Sequence, residues 1–489
     1  MDLKDKGLFR QKCFINGKWL EAKSGDSFDV KNPSSLNNIG KMPNCSKIDT
    51  SFAIEKAKNA FEKWKNTTGK ERGILIRRWH ELILENIDDL SLIMTLENGK
   101  PILDSRGEII YSSLFTDWFA EEAKRTYGKT IPSTVSGRRI LTIKQPVGVC
   151  GIITPWNFPA AMITRKVAPA LAAGCTVVIK PAATTPFSAT ALIELADRAG
   201  FPAGVINLVS VSEKDVAEVG NELCMNKIVR KISFTGSTKV GKTLMAKTAS
   251  TVKRVSMELG GHAPFIVFDD ADLDAAVEGA MANKYRNSGQ VCVSANRIYV
   301  HESVYDKFAK KMADKSSLLK VADGRETGTQ IGPLISMAAV EKVESHVSDA
   351  VDKGARVLVG GERDDSAGIQ FYKPTVITDI NNKMKIYYEE TFGPVAPLIK
   401  FSSEDDVIKM ANDTDYGLAG YFYSRDINKI WRVAEALEYG MVGINAGIIS
   451  TEVAPFGGVK ESGVGREGAA EGIEEYLETK YLCMDGINN

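Results

Sequence analysis

The sequence predicts an α/β protein built around a doubly wound parallel sheet, and two observations support this fold class. Across residues 147–268, short runs rich in Val and Ile alternate with helical stretches, and a similar alternation returns over about residues 269–445. Apolar strands that alternate with helices are typical of parallel sheets covered by helices. The chain has 489 residues, which is enough for about three domain-sized units.

The composition is that of a globular protein with a small-molecule partner. Hydrophobic residues make up 44% of the chain and charged residues 25%, and the 62 Lys and Arg balance the 62 Asp and Glu. This balance lacks the basic surface expected of a protein that binds nucleic acid or an acidic membrane. No apolar run is long enough to span a bilayer. We therefore expect neither nucleic acid nor a membrane as a partner.

The N-terminal segment and the cysteines predict a cytoplasmic location. The segment MDLKDKGLFRQK mixes acidic and basic side chains without an apolar core, unlike a signal or transit peptide. Seven cysteines are scattered along the chain without a CxxC pair. The four histidines form no HExxH motif and no GxSxG elbow occurs. We therefore expect no metal site and no serine-hydrolase chemistry.

The N-terminal part of the chain is predicted to form one hairpin followed by helices. FINGKW, at residues 14–19, contains an Asn-Gly step between apolar residues, which favours a β-hairpin. Across about residues 49–122, apolar residues recur at helical spacing and predict several amphipathic helices. Their apolar stripe is expected in the core and includes Ile74, Ile76, Trp79, Leu82 and Ile83.

The strands of the two alternating regions can be read from short apolar runs. Those of the first region are VGVCGIIT, TVVIK, VINLV, KISFT, VSMEL and APFIVF, with one helix that ends at Ala173 and another that starts at Ser188. Those of the second region are RIYVH, ARVLVGG, residues 372–378, APLIKF and YGMVGIN. Ligands of such sheets bind beyond the carboxyl ends of the strands, so functional residues are expected in the turns that follow.

Two further strand signals lie outside this alternation. Residues 138–145 and 474–483 each alternate like an exposed strand. The two segments could pair with each other and extend the sheet of a partner subunit, so we interpret them as an oligomerisation flap. The glycine-rich segment 454–468 is predicted to be a loop that closes over another part of the protein.

One cysteine stands in a segment suited to a nucleophile. In RNSGQVCVSANR, at residues 286–297, Cys292 lies among small and amide side chains with an arginine at each end. A lone cysteine is more often a small buried hydrophobic residue. A reactive thiol instead needs a polar, electropositive site. Here the residues that could supply one are Arg286, Asn287, Gln290 and Asn296.

A competing interpretation comes from a nucleotide-binding pattern. GSTKVGKT, at residues 236–243, follows a predicted strand and matches the P-loop pattern GxxxxGK[ST], while FIVFDD at residues 265–270 resembles a magnesium-binding strand. Small residues at a helix N-terminus attract phosphate of either a triphosphate or a dinucleotide. The Rossmann pattern GxGxxG is absent here. These patterns alone leave a nucleotide triphosphatase and a dinucleotide enzyme both open.

Seven motifs together resemble the aldehyde dehydrogenase family, in that family's order and approximate spacing. They are TPWNFP (154–159), IKPA (179–182), FTGSTKVG (234–241), MELGG (257–261), GQVC (289–292), EETFGPV (389–395) and PFGGVKESG (455–463). The likeness covers nearly the whole chain, and the set is highly specific. By this resemblance the P-loop match is a coincidence.

The resemblance implies an aldehyde-dehydrogenase-like fold with three parts. These would be a dinucleotide-binding domain from residues 1–127 and 147–259, a catalytic domain from residues 260–448, and an oligomerisation flap from residues 128–146 and 469–489. A homodimer or homotetramer is expected.

The resemblance also implies a covalent mechanism. Cys292 would add to an aldehyde, and Glu258 would activate the water that hydrolyses the resulting thioester. A carboxylate beside apolar neighbours can have its pKa raised towards that task. Asn157 would donate its side-chain amide to the developing oxyanion, together with the Cys292 backbone N–H.

For the cofactor, the resemblance implies NADP or NAD. The implied positions are Trp156, Gly236 and Ser237 near the pyrophosphate, the Leu259 backbone near the nicotinamide, Glu390 and Phe392 near its ribose, and Lys180 beside the adenosine ribose. Many NAD-preferring relatives have a glutamate three positions after that lysine, where this chain has Ala183. We therefore expect NADP to be tolerated, and our hypothesis is use of both cofactors.

The substrate is expected to be an aldehyde with a distal carboxylate. ITRKVAPALAAGC (163–175) and ANKYRNSGQVC (282–292) are similar to the branch of the family that oxidises succinic semialdehyde. By that similarity Arg165, Arg286 and Ser450 would hold the carboxylate. Glutarate semialdehyde, uncharged aldehydes and a catalytically silent relative are the alternatives. Because Ser294 replaces a second cysteine found in several relatives, we expect no local disulfide switch with Cys292.

Overall fold

The structure is a computed structural model that describes residues 2–486. Its strands are β1 (Cys13–Ile15), β2 (Lys18–Leu20), β3 (Ser27–Lys31), β4 (Asn38–Pro43), β5 (Lys129–Ile131), β6 (Arg139–Pro146), β7 (Val149–Ile153), β8 (Thr176–Lys180), β9 (Ile206–Leu208), β10 (Val229–Thr235), β11 (Arg254–Glu258), β12 (Ala263–Val267), β13 (Ala295–His301), β14 (Arg356–Val359), β15 (Thr375–Thr378), β16 (Val395–Phe401), β17 (Tyr416–Gly417), β18 (Ala419–Tyr423), β19 (Met441–Ile444), β20 (Val459–Lys460), β21 (Gly463–Val464) and β22 (Leu477–Met484).

The helices connect these strands. They are α1 (Lys47–Trp64), α2 (Gly69–Glu85), α3 (Ile87–Asn98), α4 (Ile102–Glu122), α5 (Ala161–Ala173), α6 (Pro186–Arg198), α7 (Val216–Met225), α8 (Thr238–Ala249), α9 (Leu273–Tyr285), α10 (Tyr305–Ser316), α11 (Met337–Asp352), α12 (Lys385–Tyr388), α13 (Glu404–Asn412), α14 (Ile427–Ala436) and α15 (Glu471–Glu474). Short 3-10 turns cover Lys6–Leu8 and Arg286–Gly289. Within residues 2–486, no helix is long and apolar enough to cross a lipid bilayer.

The first sheet confirms the predicted doubly wound arrangement. Its strand order is β2-β1-β9-β8-β7-β10-β11-β21, and the run from β9 to β11 is parallel. Every residue of β7 and β8 is buried, because helices cover both faces of the sheet. The predicted hairpin forms at the edge, where Phe14 pairs with Trp19 and joins the sheet through Leu208.

One strand that the alternating strand and helix pattern predicted for the first sheet belongs instead to the second sheet. The order of the second sheet is β14-β15-β16-β13-β12-β18-β19, so APFIVF (β12) pairs with β13 and β18 rather than with β11. The four residues between β11 and β12, 259–262, carry the chain from one sheet to the other. Strand β18 was missed, because its run of Ala, Gly, Tyr and Phe lacks a clear alternating pattern.

The helical segment before the first sheet packs as the apolar stripe predicts, with one exception. Ile76, Trp79 and Ile83 of α2 are fully buried, and the Trp79 indole N–H donates to the Leu192 carbonyl at 2.9 Å. Ile74 was expected in the core, but 58% of it is exposed. It lies on the opposite face of the helix, since adjacent helical positions differ by about 100°.

The two isolated strand signals pair with each other as expected. Strand β22 runs antiparallel to β6 from the Leu477–Pro146 pair to the Met484–Arg139 pair, and β5 adds a third strand. Most of their side chains are exposed or half-buried. The result is a solvent-exposed sheet whose two outer strands, β5 and β22, each pair on one side only within residues 2–486.

Two glycines, one in α2 and one in α4, provide a matched test of how closely the N-terminal helices pack. An alanine Cβ at Gly73 in α2 would lie 2.5 Å from the Ala120 carbonyl oxygen, whereas at Gly107 in α4 it would meet nothing within 4 Å. We expect Gly107→Ala to stabilise the protein by about 0.5–1 kcal/mol through helix propensity. Gly73→Ala should destabilise it by about 1–3 kcal/mol through overpacking. Urea unfolding followed by tryptophan fluorescence checks both; midpoints that shift in the same direction would contradict this account.

Candidate active site

A cavity of about 370 Å³ lies beyond the carboxyl ends of β7, β10 and β11. This is where a parallel sheet places its ligands. The cavity brings together distant parts of the chain, and its walls are Pro155, Trp156, Asn157, Met162, Thr235, Gly236, Ser237, Leu259, Gly260, Cys292, Ala338, Ala339, Lys342, Glu390, Thr391 and Phe392.

Cys292 reaches this cavity through an unusual backbone turn. Asn287, Ser288 and Gly289 have φ values of 49°, 56° and 75°, so three successive residues adopt left-handed conformations. Asn287 and Ser288 are buried. Such conformations cost energy for residues with a Cβ and persist only where packing fixes them. A Cβ at Gly289 would lie 2.1 Å from the Gly393 carbonyl oxygen, so the turn requires glycine there.

The loop that holds Asn157 is tied directly to the cysteine loop. The Asn157 side-chain N–H donates to the Gln290 carbonyl at 3.1 Å, and its own carbonyl accepts from Asn287 Nδ2 at 3.0 Å. The Lys100 ammonium donates to the same carbonyl at 2.7 Å. These bonds fix the amide of Asn157 relative to Cys292, and both residues line the cavity.

Lys100 and Glu108 support this loop and were missed by the sequence analysis. They form a fully buried ion pair, and Glu108 also accepts from the Ala160 and Ala161 N–H groups at 2.9 and 3.2 Å. Those N–H groups belong to the first turn of α5, where a carboxylate is stabilised. Lysine and glutamate are common surface residues, so nothing in the sequence marks these two as buried.

Glu258 is the last residue of β11 and is only 2% exposed. Neither of its carboxylate oxygens has a hydrogen-bond partner in the described part of the chain. Burial, and then the like charge of Glu467, raise its pKa well above the usual value, although Arg165 and Lys166 oppose the shift. The sequence-based expectation of a raised pKa at this glutamate agrees with this environment.

Glu467 was also missed, although it organises the charges around Glu258. Its carboxylate is 2.5 Å from Arg165 Nε and forms a second ion pair with Lys166. All three side chains are buried. The Arg165 guanidinium also lies 4.1 Å from the Phe456 ring centre, a cation–π contact. Glu467 lies in the glycine-rich segment, whose chain pairs back through Phe456 and Glu467 and covers the end of β11.

The predicted substrate residues fall into two neighbouring places. Burial raises the pKa of both the Cys292 thiol and the Tyr111 hydroxyl, and the positive charge of Arg165 opposes both shifts. Arg165 Nη1 lacks a well-formed hydrogen bond within residues 2–486. Arg286 lies over the Phe158 ring at 5.1 Å, and lines a narrow crevice together with Ser450.

The thiol environment differs from the expected one. Burial raises the pKa of Cys292 to about 12; Arg165 opposes this rise, while Glu390 and Glu258 add to it. The amide side chains that were expected to make the site polar instead hold the loop, as Gln290 does by donating to the Asn287 carbonyl. The thiol is therefore protonated at neutral pH in the protein without cofactor.

Six of the eight predicted cofactor residues line the cavity that contains Cys292. The Trp156 and Phe392 rings meet edge to face with centres 5.6 Å apart. Gly236 and Ser237 stand at the N-terminus of α8, and the Ser237 side chain does not cap the helix. Burial raises the pKa of Glu390 to about 7, although the Gly261 N–H, which donates to it at 3.3 Å, opposes the shift. Of the other two, Lys180 is the last residue of β8, and Ala183 follows that strand and lines a second cavity.

The structure contradicts the P-loop interpretation. Helix α8 begins at Thr238, so most of the GSTKVGKT segment is helical and cannot wrap around a triphosphate. Lys242 is exposed and pairs with Glu461 at 2.6 Å. Asp270 follows a strand of the other sheet and accepts hydrogen bonds from Ser424 and two backbone N–H groups. The two halves of the pattern therefore do not form one site.

Fold and site together define an α/β protein whose cleft combines a cysteine with a helix N-terminus suited to phosphate, and a buried carboxylate ends the strand that leads into this cleft. The model of the aldehyde dehydrogenase family matches residues 19–482. The chain therefore belongs to the aldehyde dehydrogenase family, and the resemblance seen in the sequence is confirmed.

Individual relatives cover the full chain. A succinate-semialdehyde dehydrogenase [NADP(+)] of Escherichia coli K12 is 56% identical over 484 residues, which is 99% of this chain and 100% of the relative. A glutarate-semialdehyde dehydrogenase of Pseudomonas putida KT2440 is 57% identical over the same shares of the two chains. A crystal structure of succinate-semialdehyde dehydrogenase from Burkholderia pseudomallei superposes with a TM-score of 0.98 at 55% identity, covering 99% of this chain and 100% of that one.

The raised pKa of Cys292 predicts a steep pH dependence of its alkylation. In the protein without cofactor, the rate with iodoacetamide should rise about tenfold per pH unit between pH 7 and 9, because only thiolate reacts. Arg165→Met should slow the reaction further, since Arg165 lowers the thiol pKa. Peptide mass spectrometry in a Cys483→Ser background follows Cys292 without the exposed thiol. A rate that levels off below pH 8 would show that the thiol is already ionised.

Proposed function

We propose that the protein oxidises a small semialdehyde with a distal carboxylate, succinic semialdehyde foremost, using NADP or NAD. The observation that carries this proposal is the buried Arg165 beside Cys292, with one guanidinium nitrogen that lacks a well-formed hydrogen bond in the described chain. A planar guanidinium suits a carboxylate, and a charge-assisted hydrogen bond contributes about 1.5–3 kcal/mol. The names of the relatives from E. coli and B. pseudomallei support the same substrate.

The reaction would proceed through a covalent intermediate on the protein. The Cys292 sulfur adds to the aldehyde carbon, and its proton leaves as the new C–S bond forms. The Asn157 amide stabilises the oxygen that becomes negative, an effect worth about 3–4 kcal/mol per donor in comparable enzymes. Loss of hydride from the carbon leaves a thioester. Glu258 then takes a proton from water, and the resulting hydroxide adds to the thioester carbon and displaces the sulfur, so that the carboxylic acid product leaves. The proton held by Glu258 returns to the Cys292 thiolate and restores the thiol.

A nicotinamide dinucleotide would supply the hydride acceptor when bound. The cavity fits such a group, because it combines apolar walls with the N-terminus of α8 at Gly236 and Ser237, where a pyrophosphate would be stabilised. Trp156 and Phe392 add aromatic surface, and Glu390 offers a carboxylate for ribose hydroxyls. Lys180 and Ala183 would lie near the adenosine end.

The three-part organisation also belongs to this proposal. The first sheet, with residues 1–127 and 147–259, would bind the dinucleotide, and the second, within residues 260–448, would supply Cys292. Residues 128–146 and 469–489 would form the flap, although residues 487–489 lie outside the described part of the chain. Within residues 2–486, the outer strands of its sheet pair on one side only, which supports addition of a partner's strand. We also propose that the protein forms a homodimer or homotetramer, and the common oligomeric character of the family supports this. Its proposed location is the cytoplasm.

Glutarate semialdehyde is the second candidate. It carries the same two reacting groups as succinic semialdehyde with one more methylene between them, and the P. putida relative bears its name. One methylene in a pocket changes affinity by about 1–3 kcal/mol. Comparing kcat/KM for the two semialdehydes therefore separates the candidates.

The arginine pocket predicts a selective loss of activity. Arg286→Met should lower kcat/KM for succinic semialdehyde about 10- to 100-fold, as expected when one charge-assisted bond is removed. Activity with butanal, which has no carboxylate, should change less than about threefold. The formation of reduced nicotinamide is followed by absorbance at 340 nm. Arg325→Met is the control, because Arg325 is an exposed arginine that pairs with Asp323. An equal loss with both aldehydes would make Arg286 structural.

The raised pKa of Glu258 predicts how thioester hydrolysis responds to pH. A carboxyl whose pKa is raised is mostly protonated at low pH, so the fraction able to act as a base grows as pH rises through that pKa. The steady-state rate should therefore keep increasing with pH above the range in which a glutamate with the usual pKa of 4.5 is already ionised. Glu258→Gln should retain a rapid first turnover but lose about 10²- to 10⁴-fold in the steady state. Stopped-flow measurement of reduced nicotinamide separates the two phases; loss of the first phase as well would contradict this role.

A further inference from the structure

A second cavity, of about 360 Å³, lies where the chain leaves two adjacent strands of the first sheet. Strands β8 and β9 are parallel neighbours, with Ile179 opposite Leu208. The segments that follow them therefore emerge at the same edge. Ala183 and Thr184 come from the first segment, and Ser212 and Glu213 from the second, and all four line the cavity.

Lys180 provides a cation beside this cavity. It ends β8, is 6% exposed, and donates to the Pro181 carbonyl at 3.0 Å. Burial lowers its pKa to about 8, and Glu213 opposes that shift as the one charged group of the described chain that acts on it. The cavity is also lined by Asp29 and Lys31, but neither affects Lys180. Glu213 is therefore the anion whose charge acts on Lys180, and it lines the same cavity as Ala183, three residues after that lysine.

The backbone of the Glu213 segment is held from both sides. The Ser212 N–H donates to Asn44 Oδ1 at 2.9 Å, and the Ser212 hydroxyl donates to Asp215 at 2.9 Å. Asn44 also donates to Asp215 at 2.8 Å. Glu213 itself is exposed, and its carboxylate forms no hydrogen bond or ion pair with a residue of 2–486. The carboxylate is thus placed by a fixed backbone but is available to a ligand.

A carboxylate and an ammonium group beside the same ribose favour different cofactors. A free 2′,3′-diol donates hydrogen bonds to a carboxylate, whereas a 2′-phosphate is repelled by it and attracted by a cation. We propose that Glu213 is a specificity-determining residue, which binds the adenosine ribose diol and opposes Lys180 in the choice between NAD and NADP. The proposal rests on the proposed dinucleotide function. It supplies, from the segment after β9, the acidic group that Ala183 lacks.

Binding of nucleotide fragments tests this role without catalysis. Calorimetry compares adenosine 2′,5′-bisphosphate with 5′-AMP, which differ in the 2′-phosphate and need no aldehyde or nicotinamide. Glu213→Gln should bind the bisphosphate about five- to tenfold more tightly, and 5′-AMP equally or up to about threefold more weakly. The gain should shrink as salt rises from 0.05 to 0.5 M, because the carboxylate is exposed. Glu213→Lys should extend the change in the same direction.

A matched control separates a local effect from a change in net charge. Glu55→Gln removes the same charge from an exposed position on α1 and should leave both affinities unchanged. The proposal is overturned if Glu213→Gln leaves the ratio of the two affinities within twofold of the unaltered protein, or if Glu55→Gln changes it equally. Failure of the unaltered protein to bind either fragment would also overturn it, and would remove the adenosine site itself. Aldehyde oxidation that persists despite a negative result would leave the proposed function intact.

Discussion

The site depends on the ion pairs that the buried carboxylate of Glu467 forms. This carboxylate forms ion pairs with both Arg165 and Lys166, two cations that α5 carries into the interior. A buried charge without a partner is costly, and breaking such a pair costs about 3–5 kcal/mol. Glu467 therefore makes it possible to hold a guanidinium next to Cys292. The same carboxylate raises the pKa of Glu258, so one side chain influences both reacting groups.

The site also depends on ties between segments that come from different sheets. Glu258 ends a strand of the first sheet, whereas Cys292 precedes β13 of the second. The Asn157 loop follows β7 of the first sheet and is tied to the cysteine loop, since its side-chain amide donates to the Gln290 carbonyl and Lys100 holds its backbone. Hydrogen bonds of this kind fix relative positions of reacting groups to a fraction of an ångström, which is where much of the catalytic advantage of an enzyme arises.

Sequence reasoning found what is encoded locally and missed what depends on tertiary contact. The first sheet, the hairpin and the paired flap strands follow from apolar periodicity, and Cys292, Glu258 and Asn157 stand in short specific motifs. By contrast, no pattern in the sequence distinguishes Glu467 and Glu213 from an ordinary surface glutamate. Only folding shows that Glu467 is buried between two cations and that the charge of Glu213 acts on Lys180.

The same limit applies to strand assignment and to the cysteines. The apolar pattern of APFIVF is compatible with a strand of either sheet. The sequence does not show that the four residues before it carry the chain from the first sheet to the second. Cys13 and Cys45 are 32 residues apart without a motif, yet their sulfurs lie 3.2 Å apart. Around Glu258, Glu467 pairs with two buried cations, Arg165 and Lys166, and the positive charge of these cations opposes the rise in the pKa of Glu258 that burial and Glu467 cause. An anionic substrate would be attracted to Arg165 and a neutral aldehyde would not, so one arrangement bears on both the pKa of the proposed base and the proposed preference for a carboxylate.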